Sequence, residues 1–225
     1  MTEKVFWINP YQTELRSEVT HIEGNNVELN KTIFYAEAGG QESDSGTIHD
    51  VSVLQATQNG SRIIYTLASL PDFEVGDTVV TCIDWERRYS LMKLHFAAEV
   101  VLEKLYQRCS GIVRIGAHIA QDKSRIDVEW PENLTSLLKE VETESQLLID
   151  SDARIISDFS DKENERRYWK VEGFTQVPCC GTHLNRTSEV GQIRLKRKNL
   201  GKGKERGRDN VVHIVGFTTT LTKCD

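Results

Sequence analysis

Apolar residues in the first 83 positions come in short runs separated by turn-forming residues. Residues 5–8 form one such run. Residues 18–29 read as a hairpin, with Gly24, Asn25 and Asn26 supplying positive φ at its turn. Residues 32–48 start as a strand and break at Gly39-Gly40, where two bare backbones predict a tight turn or a close approach. Residues 51–54 and 62–67 read as strands joined across 58–61, and residues 76–83 as another. Many short strands with this punctuation predict a small barrel or sandwich.

At Asp84 the pattern changes period. Asp84 is a helix N-cap by type, and neither Pro nor Gly follows until Gly111. Leu91, His95, Ala98, Leu102 and Leu105 step by four, three, four and three, which is one stripe of a helix. Glu99 lies one turn beyond His95, beside that inward stripe. A carboxylate there costs stability unless it is paired or metal-bound. Further on, residues 111–120 and 124–130 read as strands. Pro131 opens a second helix to about Asp150, with Leu134, Leu137, Leu138, Val141 and Leu148 on one side. Residues 154–159 and 168–174 read as strands around a charged connector at 161–167. Residues 191–198 and 210–217 read as a strand pair flanking a basic loop. The expectation is an α+β chain: a small N-terminal β-barrel over 1–83, then helices packed on a largely antiparallel sheet over 84–225.

Composition is that of an ordinary globular chain, with 38% hydrophobic and 28% charged residues. No apolar run approaches the roughly 20 residues that span a bilayer, and the N-terminus has no long apolar signal core. The chain therefore reads as cytoplasmic, without a membrane partner. Five scattered cysteines, Cys82, Cys109, Cys179, Cys180 and Cys224, suit free thiols and a metal ligand better than a disulfide framework. The net charge of −6 conceals a segment, 194–208, with eight Lys or Arg and one Glu. That +7 segment is set against a −13 remainder, so a phosphate backbone can be gripped locally. The alternative for the same segment is a solvated hairpin with a charged rim.

Two pairs carry the candidate chemistry. His95 and Glu99 are spaced i, i+4, as are Cys179 and His183. Imidazole, thiolate and carboxylate are all ligands of zinc. Glu99 is either the fourth ligand or a general base acting on water, and its spacing leaves both roles open. His21, His49, His118 and His213 are isolated and read as surface or hydrogen-bonded core residues. Cys180 stands beside the site as a spectator first and a substitute ligand second.

Several stretches in order resemble one family: His95 with its i+4 partner, residues 178–191 around Cys-Cys-Gly-Thr-His, residues 32–41 ending in Gly-Gly-Gln, and Gly-Lys-Gly-Lys-Glu-Arg at 201–206. Together they resemble the AlaX-type alanyl-tRNA editing proteins in their medium-length form, free-standing relatives of the editing domain of alanyl-tRNA synthetase. The resemblance covers essentially the whole chain. It implies an N-terminal β-barrel, then an editing domain like that of threonyl- and alanyl-tRNA synthetase. It implies one zinc ion per chain and hydrolysis of the ester joining serine, and also glycine, to tRNA for alanine.

By the same resemblance His95, Cys179 and His183 match metal positions, and Glu99 stands where the family's first motif has a second histidine. Two histidines, a thiolate and a carboxylate would leave a zinc site formally neutral. Position 180 carries Cys where the family has Gly, and Gly207 stands where an apolar strand residue is typical. Thr32 and Gln41, with Gly39 and Gly40 in the same motif, match the side of the pocket that reads serine. The backbone N–H groups around Gly181 and Thr182 are candidates for stabilising a tetrahedral oxyanion. Arg194, Lys196, Arg197, Lys198, Lys202, Lys204 and Arg206 are candidates for holding the acceptor end of the tRNA. No protein partner is implied, and no Gly-x-x-x-x-Gly-Lys-Ser/Thr loop for ATP is present. The rival readings are a same-fold hydrolase of another aminoacyl ester, a tRNA-binding module without chemistry, and a purely structural zinc site.

Overall fold

A computed structural model describes residues 2–131, 134–198 and 209–215. The chain falls into two compact units, Met1–Leu91 with Cys180–Thr182, and Met92–Cys179 with His183–Asp225. The helix that begins just after Asp84 runs through the division between Leu91 and Met92.

In the first unit, strands β1 (Glu3–Lys4) and β4 (Lys31–Thr32) pair in parallel. Six others are β2 (Glu14–Glu23), β3 (Asn26–Leu29), β5 (Gly46–Ile48), β6 (Val51–Asn59), β7 (Arg62–Leu67) and β8 (Thr78–Ile83). They close into a barrel in the order β2-β3-β7-β6-β5-β8, with β8 pairing back onto β2. Closure leaves no open sheet edge. Alternation fills the interior: Ile63, Tyr65 and Leu67 of β7 and Val79 and Ile83 of β8 are buried, with Val19, Val27, Leu29 and Ile48 among their partners. Gly46 is required where β5 meets β8. A Cβ there would lie 2.0 Å from the Cys82 carbonyl oxygen, and its φ is +156°.

One expectation in this unit changes. The apolar run at 5–8 forms a 3₁₀ turn, Val5–Trp7, closed by Ile8 N donating to Val5 O at 2.9 Å. The strand expected from residue 32 ends there. Ile33, Phe34, Tyr35 and Ala36 are all buried. Four consecutive buried side chains do not fit the two-residue alternation of a half-exposed strand. An ion pair holds the segment instead. Arg88 donates from Nε to Asp44 Oδ1 at 2.9 Å, pairs a second time with Asp44 Oδ2, and reaches Pro10 O at 2.8 Å and Ile33 O at 2.5 Å. Asp44 Oδ2 also accepts from Tyr35 N at 2.7 Å.

Helix α1 (Trp85–Arg108) starts as expected, with Asp84 Oδ1 accepting from Arg87 N at 3.1 Å. The expected stripe is buried, but so is most of the helix: between Leu91 and Leu102 only Lys93 and Glu99 are partly exposed. It is a core helix, not an amphipathic surface helix.

The second unit adds β9 (Val113–Ile119), β10 (Lys123–Glu129), α2 (Thr135–Asp150), β11 (Ile155–Asp161), β12 (Arg166–Val171), β13 (Thr175–Pro178), β14 (Leu195–Lys198) and β15 (Asp209–Val215). Its pairings are all antiparallel, but they form two sheets and not one: β14-β15-β10-β9 and β11-β12-β13. The expected connector at 161–167 is a hairpin turn, and the strands on either side run into it. Helix α2 begins at Thr135 and not at Pro131. Its buried line is Leu138, Val141, Ser145 and Ile149, while Leu137 and Leu148 are only partly buried. Arg108 at the end of α1 pairs with Glu140 at 2.6 Å and with Glu144, fastening α1 to α2. Among the described residues no helix is long and apolar enough to cross a membrane.

Candidate metal centre

His95 and Glu99 project from one face of α1, a turn apart. Cys179 follows the last residue of β13, and its N–H continues the ladder to Arg167 O at 2.9 Å. His183 comes four residues later. Folding brings the two pairs together: one donor atom from each of the four side chains lies within 4.8 Å of all the others. Cys179 Sγ is 3.4 Å from His95 Nε2, Glu99 Oε1 is 3.3 Å from His95 Nε2, and Glu99 Oε2 is 3.6 Å from His183 Nε2. The imidazole centroids are 5.4 Å apart.

Ser157, on β11, completes the arrangement. Its Oγ lies 3.1 Å from His183 Nδ1, so the other ring nitrogen faces the cluster. A lone Ser in a strand carries no sequence signal, and only the fold identifies it.

The electrostatics are those of an ionised cluster. Burial opposes charge on His95, but the Glu99 carboxylate and the Cys179 sulfur outweigh it and hold its pKa well above the usual imidazole range. Burial likewise opposes charge on His183, and Cys179 and Glu99 raise its pKa. For Glu99 burial works upward, yet His95 and His183 pull the carboxyl well below the usual range. For Cys179 burial and Glu99 work upward, and the two imidazoles bring the thiol down to about 7.

The cluster fits a metal ion. Glu99 Oε2 and His183 Nε2 are buried and make no hydrogen bond. Buried polar atoms in that condition are costly, and a cation between the donors would satisfy them. Two imidazoles, a thiolate and a carboxylate are four ligand types that a single divalent ion accepts.

The other expected site residues are placed as follows. Gly39 and Gly40 take φ of +62° and +90° in a tight turn, with Ala38 and Gln41 exchanging backbone hydrogen bonds at 3.2 and 3.0 Å. Gln41 is buried and donates from Nε2 to Thr182 Oγ1 at 3.2 Å, and Thr182 is the chain neighbour of His183. Gly181 is buried beside it. Thr32 is fully buried, its hydroxyl engaged by the Tyr65 hydroxyl and by Phe34 N at 2.9 Å. Cys180 is exposed, and its carbonyl accepts from Trp7 Nε1 at 2.8 Å.

The basic run is divided by strand alternation. Lys196 is exposed, Arg197 turns to Thr135 Oγ1 of α2 at 3.4 Å, and Arg194 pairs with Glu142 at 2.9 Å. The side chain of Lys198, and Lys202, Lys204 and Arg206, lie outside the described residues, as does Cys224.

Residues 2–87 match the family described as tRNA synthetases class II (A), and residues 169–210 match the threonyl and alanyl tRNA synthetase second additional domain. The chain is 33% identical to the alanyl-tRNA editing protein AlaX-M of Pyrococcus horikoshii, over 92% of this chain and 96% of that protein. It is 28% identical to the AlaX-M protein of Saccharolobus solfataricus, over 92% and 97% respectively. It is also 29% identical to the alanine–tRNA ligase of Methanococcus maripaludis, where 98% of this chain matches 28% of the ligase. The chain thus spans nearly all of the two editing proteins and under a third of the ligase.

Proposed function

The chain belongs to the AlaX-M family of alanyl-tRNA editing proteins, and on that premise we propose that it is a trans-editing deacylase. It hydrolyses the ester that joins serine, and secondarily glycine, to tRNA for alanine. The observation that carries the reading is the convergence of His95, Glu99, Cys179 and His183 to within 4.8 Å. Zinc is the metal best matched to this mixture of nitrogen, sulfur and oxygen donors.

When bound, zinc supplies Lewis-acid chemistry at the ester. The chain's own residues do the rest. Glu99 acts as a ligand and not as a general base. Its two carboxylate oxygens lie among the other donors, 3.3 Å from His95 Nε2 and 3.6 Å from His183 Nε2, which suits ligation. Ser157 fixes the His183 ring so that Nε2 is the coordinating atom. The N–H groups of Gly181 and Thr182 stabilise the oxyanion of the tetrahedral intermediate.

Selectivity against alanine rests on a hydroxyl. A pocket whose polar groups pair with the serine hydroxyl leaves them unpaired when alanine enters, a larger penalty than any gap the size of one oxygen. Gln41, buried and bonded to Thr182, is the reader. Thr32, whose hydroxyl is engaged by Tyr65 and Phe34 N, is the other polar candidate on the serine-reading side. Arg194, Lys196, Arg197 and Lys198, with Lys202, Lys204 and Arg206, hold the acceptor end through phosphates.

The test is deacylation of seryl-tRNA and alanyl-tRNA, both on tRNA for alanine, by the purified protein before and after metal stripping. The reading requires the seryl ester to be cleaved in preference to the alanyl ester, turnover to fall away on stripping, and zinc to restore it. A folded, zinc-loaded protein that leaves the seryl ester intact would refute it.

A further inference from the structure

The four-stranded sheet β14-β15-β10-β9 carries a row of basic residues that the metal centre does not use. On β10 the alternation is regular: Ser124, Ile126 and Val128 are buried, while Lys123, Arg125 and Glu129 are exposed. The register sets Arg125 opposite His118 of β9 on one side and opposite His213 of β15 on the other. His213 in turn stands opposite Lys196 of β14. A single cross-strand line therefore reads His118, Arg125, His213, Lys196, with no carboxylate in it. Arg125 and Lys196 are exposed and His118 is half-buried. Lys123 stands two residues before Arg125, on the same face of β10. Three interstrand steps of about 4.8 Å make the line roughly 14 Å long.

Asp127 Oδ1 lies 3.1 Å from Arg125 Nε, and Asp122 lies 3.3 Å from Lys123 Nζ. The Asp122–Lys123 pair is exposed and contributes little in water, so an incoming anion displaces it at small cost, whereas Asp127, 19% exposed, offsets part of the charge of Arg125. Beyond Asp127 on the same face comes Glu129, which the register sets opposite Asp209.

We infer that this line binds the phosphate backbone of an RNA, carrying across β10 and β9 the basic grip that begins on β14. The inference rests on the editing function proposed above and adds the surface that holds its substrate. The exposed cations Arg125 and Lys196, with Lys123 beside them on β10, suit a repeating series of phosphates. It stands on a chain whose net charge is −6, so it is a local concentration and not an average property.

The experiment is binding of deacylated tRNA for alanine to the full chain across salt from about 50 to 200 mM. For the double variant Lys123→Ala/Arg125→Ala the expected affinity is about tenfold lower, and the slope of log affinity against log salt is shallower by about two. Asp127→Asn removes the carboxylate bonded to Arg125 and should tighten binding, an outcome that misfolding does not produce. Wild-type affinity and slope in the double variant, or no tightening in Asp127→Asn, would overturn the inference. If seryl-tRNA is deacylated while these variants bind like the parent, the inference fails and the editing function stands. If the variants behave as expected but no ester is cleaved, the editing function fails and the RNA surface stands.

Discussion

Ser157 decides which nitrogen of His183 faces the other donors. Its hydroxyl, 3.1 Å from Nδ1, takes up the nitrogen that would otherwise compete for the metal. Ser157→Ala should leave the four donors in place and lower zinc affinity by about 10- to 100-fold, read by competition against a chelator of known strength. Unchanged affinity would show that packing alone orients the ring. At this scale His95, Glu99, Cys179 and His183 were legible because spacing of i, i+4 on a helix and in a Gly-Thr turn is a pattern. Ser157 was not, because a hydroxyl two strands away in sequence acquires its partner only when β11 and the 179–183 segment meet. The role of Glu99 was open in the sequence. In the structure two imidazoles stand by its two oxygens, at 3.3 and 3.6 Å, and the ligand role is the one proposed.

Among the elements, α1 has the most to position. Its stripe was legible from a 4-3-4-3 step, but its near-complete burial was not, since Phe96, Ala97, Val100 and Val101 obscure any single face. Phe96 packs edge-on against Trp169 of β12 with centroids 5.0 Å apart, which registers the helix against the sheet that ends in Cys179. At the start of the same helix, Arg88 ties residues 33–44 into the barrel unit. Nothing in the sequence marks Arg88 apart from Arg87, yet its side chain and that of Asp44 are both completely buried. Arg88→Leu strands the Asp44 carboxylate in the interior and should cost about 3–5 kcal/mol, measured by urea denaturation. A loss under 1 kcal/mol would mean that water reaches Asp44. The basic run at 194–208 shows the converse limit. Its composition was plain, but only the pairing of β14 with β15 separates Lys196, which is exposed, from Arg197, which turns to α2.

For the whole molecule, two compact units share one helix, and the four donors all belong to the second. The strands of the barrel were legible from alternation and turn residues. The split of the second unit into two sheets was not, because antiparallel strands with similar patterning do not declare their partners. The chain spans nearly all of the two AlaX-M proteins and under a third of the alanine–tRNA ligase. The central claim is that these four side chains hold one zinc ion. X-ray absorption at the zinc edge tests it most directly, on protein purified without added metal. One zinc per chain is expected in a four-coordinate shell, with a single sulfur at about 2.3 Å and three nitrogen or oxygen ligands at about 2.0–2.1 Å. A shell without sulfur, or one with no metal bound to folded protein even after zinc is supplied, would contradict it.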